Sequence, residues 1–129
     1  MGNSKLKELS SLALAYLGDS IWELHIREYF VMKNYKVGKL NNLVGKYVNA
    51  KSQNIIFEKI FENLPEEEKS IALRARNAKI KSYPKSCTQK EYKNATALEA
   101  LVGYYYLNNE KDKVNNLIEK YIIEGEKNG

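Results

Sequence analysis

From about Lys5 to Lys33 the apolar residues Leu6, Leu9, Ala13, Tyr16, Leu17, Leu24 and Tyr29 recur at spacings near three and four, with further apolar residues beside them. That period marks the face of an α-helix and conflicts with the two-residue alternation of a half-buried strand. A long, broadly buried helix is expected here. The period resumes at Val37 and runs through Leu40, Leu43, Val44, Tyr47 and Val48 into "NIIFEKIFENL", with a break expected near Ser52. Pro65 and the three glutamates after it suit the first turn of another helix, where a missing N–H costs nothing and acids complement the positive helix end. "NAKIKSYPKSC" has no periodicity and contains Pro84, so it reads as a loop. Thr88 and Glu91 fit a capping box that opens a helix reaching about Leu107. After the turn "NNEKD", "KVNNLIEKYIIEG" predicts a last amphipathic helix fraying at Gly125. The expectation is an all-α fold, a single domain over residues 1–129 with its core at about 5–124.

A chain of 129 residues can bury roughly two thirds of its unfolded surface, so a real hydrophobic core is within reach. It has no apolar run of membrane-spanning length, and its start lacks the apolar centre of a secretory signal. A soluble cytoplasmic protein with no membrane partner is expected. Cys87 and His25 are the sole residues of their types, which rules out an intrachain disulfide and a Cys/His zinc cluster within one chain. His25 reads as structural and Cys87 as inert. A metal bound here must be held by oxygen, which points to carboxylates and a hard cation such as Mg²⁺.

Two acids stand out. Asp19 interrupts "LALAYLGDSIWE", and Glu99 is the one charge in "TALEALVGYYYL". A buried, uncompensated carboxylate costs several kcal/mol, so each must be exposed, paired, protonated or coordinated. A buried ion pair or interrupted interface would account for Asp19, and Arg74 or Arg76 could pair with Glu99. A shared Mg²⁺ would account for both acids at once, with Gly18 and Gly103 leaving room for a substrate backbone. The tyrosines of "GYYYL" suggest core filling rather than a stacking platform.

The net charge of +5 conceals an asymmetry: residues 29–57 and 69–90 hold twelve basic side chains and no acid. Basic charge concentrated this way is the footprint of a nucleic-acid binder, although a solvated face has the same composition. Lys39, Asn42, Lys46, Asn49 and Gln53 form a polar stripe at helical spacing whose side chains can donate hydrogen bonds to phosphate or ribose oxygens. "RARNAKIKSYPK" supplies Arg74, Arg76, Asn77, Lys79, Lys81 and Lys85, partly on a loop suited to a nucleic-acid groove.

"LGDSIWE" resembles the signature segment of the ribonuclease III catalytic domain, and "ALEALVGYYYL" resembles its second acidic motif. "YVNAKSQ" and "RARNAK" bring the chain closer to the Mini branch, which lacks an appended double-stranded-RNA-binding domain. The resemblance implies the family's helical endonuclease fold, homodimeric, with the helix bearing Asp19 near the two-fold interface. It makes Asp19 and Glu99 catalytic Mg²⁺ ligands, with Mn²⁺ able to substitute, in an endoribonuclease that leaves 5′-phosphate ends on double-stranded RNA. Leu12 and Ala15 stand where the wider family has glutamates, and Thr96 where many members have an aspartate. Lys39, Lys46, Lys51, Arg74, Arg76, Asn77, Lys79 and Lys85 are the expected RNA contacts. A precursor of large-subunit (23S) ribosomal RNA is the implied substrate, with a ribosomal protein as accessory factor. Two alternatives stand beside this: a non-catalytic, ribosome-associated RNA-binding domain on the same scaffold, and a helical protein-interaction module.

Overall fold

A computed structural model describes residues 3–128, and its regular elements are all helical. Helix α1 covers Asn3–Glu8 and α2 covers Ser11–Met32. The single long helix expected from Lys5 is therefore two. Ser10 adopts an extended backbone and its hydroxyl accepts from the Ala13 amide at 3.3 Å, which starts α2 afresh. The buried face of α2 is also displaced from the one expected. Leu14, Ala15, Gly18, Ile21, Trp22, Ile26 and Phe30 point inward, whereas Leu12, Tyr16 and Leu24 face solvent.

Helix α3, Val37–Tyr47, and helix α4, Ala50–Ile60, meet at a break three residues before the expected position. Asn49 causes it. Its side-chain oxygen accepts from the Ser52 amide at 2.9 Å while its side-chain nitrogen donates to the Gly45 carbonyl at 2.8 Å, capping both helix ends. The indole of the fully buried Trp22 donates to the Tyr47 carbonyl at 3.1 Å and ties this junction to α2.

A short 3₁₀ turn, Phe61–Asn63, leads to Pro65 and then α5, Glu66–Arg76, with three glutamates in its first turn as expected. Glu68 is buried, and its carboxylate accepts from the Tyr105 hydroxyl and from Lys113 Nζ at 2.9 Å. This cluster joins α5 to the two helices that follow. Residues 78–87 form no regular element, as the loop reading requires.

Helix α6, Gln89–Leu107, is the central strut, packed against α2, α4 and α5. The capping box is formed: the Glu91 amide donates to Thr88 Oγ1 at 3.0 Å and the Thr88 amide donates to Glu91 at 2.9 Å. Tyr104 and Tyr105 are buried in the core while Tyr106 is exposed. Helix α7, Lys111–Ile118, continues through a π turn, Glu119–Ile123, into α8, Glu124–Asn128, so the helix runs past Gly125 where fraying was expected. Val114, Ile118 and Ile122 give this segment a buried row.

The two glycines beside the acids have a different role from the one expected. A Cβ on Gly18 would lie 1.7 Å from the Glu99 carbonyl oxygen, and one on Gly103 would lie 2.2 Å from the Leu14 carbonyl oxygen. Their missing side chains let the backbones of α2 and α6 touch. They open no channel for a substrate, because the space is filled by protein.

Candidate functional site

The α2–α6 crossing brings together two acids eighty residues apart in sequence. Asp19 sits on the exposed side of α2, Glu99 is half-buried on α6, and their side chains are hydrogen-bonded to one another. Two carboxyl groups can share a hydrogen bond only if one keeps a proton. Burial pushes the Glu99 carboxyl up to about 8, the Asp19 hydrogen bond and negative charge push the same way, and a hydrogen bond from Gln53 opposes them. Among the described residues no ion pair reaches Glu99, so the pairing with Arg74 or Arg76 is not formed. Arg74 lies in a groove with Glu66, Glu67 and Ser70, and Arg76 lines a cavity with Glu58 and Glu62.

Both acids open onto a cavity of about 430 Å³ bounded by α2, α4, α6 and the loop before α6. Its walls include Asn49, Gln53, Pro84, Ser86, Cys87, Tyr92 and Thr96. Thr96 donates its hydroxyl to the Tyr92 carbonyl at 2.9 Å, which leaves oxygen lone pairs but no charge at that wall. Ala15 is buried against the core and contributes no ligand. Cys87 is half-buried on the cavity wall, a placement that composition alone did not reveal. The His25 ring pairs through Nδ1 with the Ile21 carbonyl of its own helix at 2.9 Å.

Gln53 was not singled out at this centre by the sequence. Its spacing from Lys46 and Asn49 put it on a phosphate-facing stripe, but the break at Asn49 divides that stripe. Gln53 turns inward, 4% exposed, to the Glu99 carboxylate. The usable signal was its register with Ile56, Phe57 and Ile60 on the buried side of α4.

The basic residues are more dispersed. Lys51, Lys79 and Lys85 are exposed, and Lys85 adjoins the cavity walls Pro84 and Ser86. Lys39 lies over the Tyr35 ring at 4.8 Å. Lys46 is engaged by Glu126 at 2.8 Å, and Asn77 closes the end of α5 with its backbone amide.

A family model described as the ribonuclease III domain matches residues 12–110. A Mini-ribonuclease 3-like protein of Ilyobacter polytropus is 50% identical over 127 residues, covering 98% of this chain and all of the relative. A Mini-ribonuclease 3 of Thermoanaerobacter is 42% identical over 112 residues, 86% of this chain and 79% of that one. The crystal structure of a protein from Fusobacterium nucleatum superposes with a TM-score of 0.87 at 46% identity, covering 94% of this chain and 97% of that one. The fold and paired acids thus sit on a ribonuclease III-type endonuclease scaffold. The chain belongs to the Mini-ribonuclease 3 branch of the ribonuclease III family. Its activity is that of an endoribonuclease cleaving double-stranded RNA.

Members of this family typically use divalent metal ions. The oxygen donors at the cavity suit one, since Mg²⁺ is commonly held by one or two carboxylates with water filling the remaining positions. Two acids forced to share a proton are the arrangement that a divalent charge relieves. Among the described residues no group of three or more His, Cys, Asp and Glu comes together, so the protein-derived set is lean. No described helix is long and apolar enough to cross a membrane.

Proposed function

We propose that Asp19 and Glu99 are the catalytic, Mg²⁺-ligating pair of a cytoplasmic homodimeric endoribonuclease that trims the double-stranded ends of large-subunit (23S) ribosomal RNA precursor. The observation that carries the reading is the hydrogen-bonded carboxyl pair at the mouth of a cavity, with Glu99 held up to about 8. Asp19 and Glu99 would hold the cation, and Mn²⁺, which takes the same oxygen donors, would substitute. Bound there, the cation supplies the Lewis acidity and activated water that phosphodiester hydrolysis needs. Both carboxylates must be ionised to ligate, so the proton on Glu99 leaves as the site fills. The resemblance adds 5′-phosphate ends to the products and a ribosomal protein as accessory factor.

The proposed catalytic domain is the single domain over residues 1–129, with its core at about 5–124. Lys51 and Lys85 adjoin cavity-lining residues and would position the phosphate backbone, with Lys39, Lys79, Arg74, Arg76 and Asn77 extending that contact. Lys46 would join them by exchanging Glu126 for a phosphate. The dimer reading is supported by α2, whose outward face exposes Leu12, Tyr16, Leu24 and Val31, Tyr16 to 86%. These exposed apolar side chains, interleaved with Ser20, Glu23 and Arg27, are candidates for burial against a second copy.

The test is incubation of a long RNA duplex with the protein and Mg²⁺, repeated with Asp19→Asn and Glu99→Gln. Cleavage by wild type alone is expected, with loss exceeding the ~100-fold typical for removing a metal's outer partner. Intact duplex in the wild-type lane, or equal cutting by the variants, refutes the assignment. Binding without cutting would mark the non-catalytic alternative.

A further inference from the structure

We infer that Gln53 is a positioning residue of this centre, its side-chain amide holding the Glu99 carboxylate in the orientation that metal ligation requires. The inference rests on the proposed assignment of Glu99 as a ligand. Gln53 is 4% exposed, on the face of α4 that also buries Ile56 and Phe57. An amide at such a position is costly to bury unless its polar atoms are engaged. Its side chain shares a cavity wall with Glu99, and as a hydrogen-bonding neighbour it favours the ionised form of that carboxyl. Both residues line the same cavity with Asp19.

The support beneath Gln53 is stiff. Asn49, one turn earlier, caps the helix through the Ser52 amide at 2.9 Å and holds the preceding turn through the Lys46 carbonyl at 3.0 Å. Trp22 anchors the residue before that junction to α2, the helix that carries Asp19. The start of α4 that carries Gln53 is thereby held against α2. Glu99 has three side-chain torsions, and a fixed donor on one side restricts its carboxylate to orientations that leave the Asp19 side available. A neutral donor performs this task without competing for the cation, as a lysine or arginine would. Partners of this kind orient metal ligands and typically change metal affinity or activity by ~10- to 100-fold when lost.

The experiment compares wild type, Asp19→Asn and Gln53→Met, which keeps the chain length and removes the donor. Thermal melts establish folding, Mn²⁺ binding is followed by electron paramagnetic resonance without RNA, and duplex cleavage is titrated with Mg²⁺ and with RNA. Expected for Gln53→Met is Mn²⁺ binding weakened by ~10- to 100-fold and a matching rise in the Mg²⁺ needed for half-maximal cleavage. KM for duplex RNA stays within about twofold, which separates positioning from general loss of structure. Wild-type metal dependence in a folded Gln53→Met variant overturns the inference and leaves the catalytic assignment standing. Failure of wild type to bind Mn²⁺ or cut RNA overturns both. Should Gln53→Met not fold, ¹⁵N-labelled wild type decides: the Gln53 side-chain amide signals must follow Mg²⁺ addition, and signals that ignore it refute the role.

Discussion

Glu99→Gln should make the metal-free protein more stable, and increasingly so as pH rises. The glutamine is an uncharged isostere of the protonated acid, able to donate to Asp19 and to accept from Gln53. In wild type the folded Glu99 keeps its proton up to about 8, whereas the unfolded side chain ionises from its ordinary 4.5. Within that window the folded state binds the extra proton, so its stability falls as pH rises. At 1.36 kcal/mol per pH unit the loss has a ceiling of about 3.4 kcal/mol at pH 7. Asp19 is exposed, and solvent screening of its charge reduces the expected difference to about 2 kcal/mol. For a chain of this size that is roughly 6–10 °C in Tm. Urea denaturation in EDTA at about pH 5 and about pH 8 would read it: near-equal stability at the lower value and a more stable variant at the higher. Saturating Mg²⁺ should then stabilise wild type by about 2.7 kcal/mol at a hundred times its Kd and leave the variant unmoved. A difference that does not grow with pH, or a wild type that is the more stable at alkaline pH without metal, would refute the account of Glu99 as a strained, proton-retaining partner of Asp19.

Gly18→Ala should destabilise by about 3 kcal/mol, since its methyl must displace the Glu99 backbone itself, and should abolish cleavage together with stability; an unchanged melting curve would contradict the close crossing. Tyr105→Phe removes the donor to buried Glu68 and should cost about 1–3 kcal/mol in urea denaturation, with the Mg²⁺ dependence of cleavage unaffected. Tyr16→Asp introduces charge into the exposed face of α2; sedimentation equilibrium should show monomers where wild type is dimeric, and a monomeric wild type would dispose of the dimer proposal.

Local chemistry was legible and tertiary chemistry was less so. The Thr88–Glu91 box and the Pro65–glutamate start are readable because cap and first turn are satisfied within a few residues. Ser10 and Asn49 carried the same type of signal. It was masked by uninterrupted apolar period in one case and by a polar stripe in the other, so the break at Ser10 was not expected and the break at Asn49 was expected three residues later. Asp19 and Glu99 were visible as charges in apolar surroundings, but that they meet depends on the α2–α6 crossing, which no spacing within either helix encodes. Gly18 and Gly103 were read as room for a substrate backbone, whereas their smallness serves the contact between the backbones of α2 and α6. The basic residues show the limit of charge counting: Lys46 and Lys90 each have an acid from a distant helix, Glu126 and Glu58 respectively, as partner.

The crossing of α2 over α6 also imposes an order of events on synthesis. Its two acids belong to opposite ends of the chain, so the N-terminal half emerges from a ribosome with only Asp19, and the pair cannot assemble until α6 has followed it. No fragment lacking either helix contains both halves of the centre. On the proposed assignment of Asp19 and Glu99, a nascent chain therefore holds no complete centre until α6 has folded onto α2.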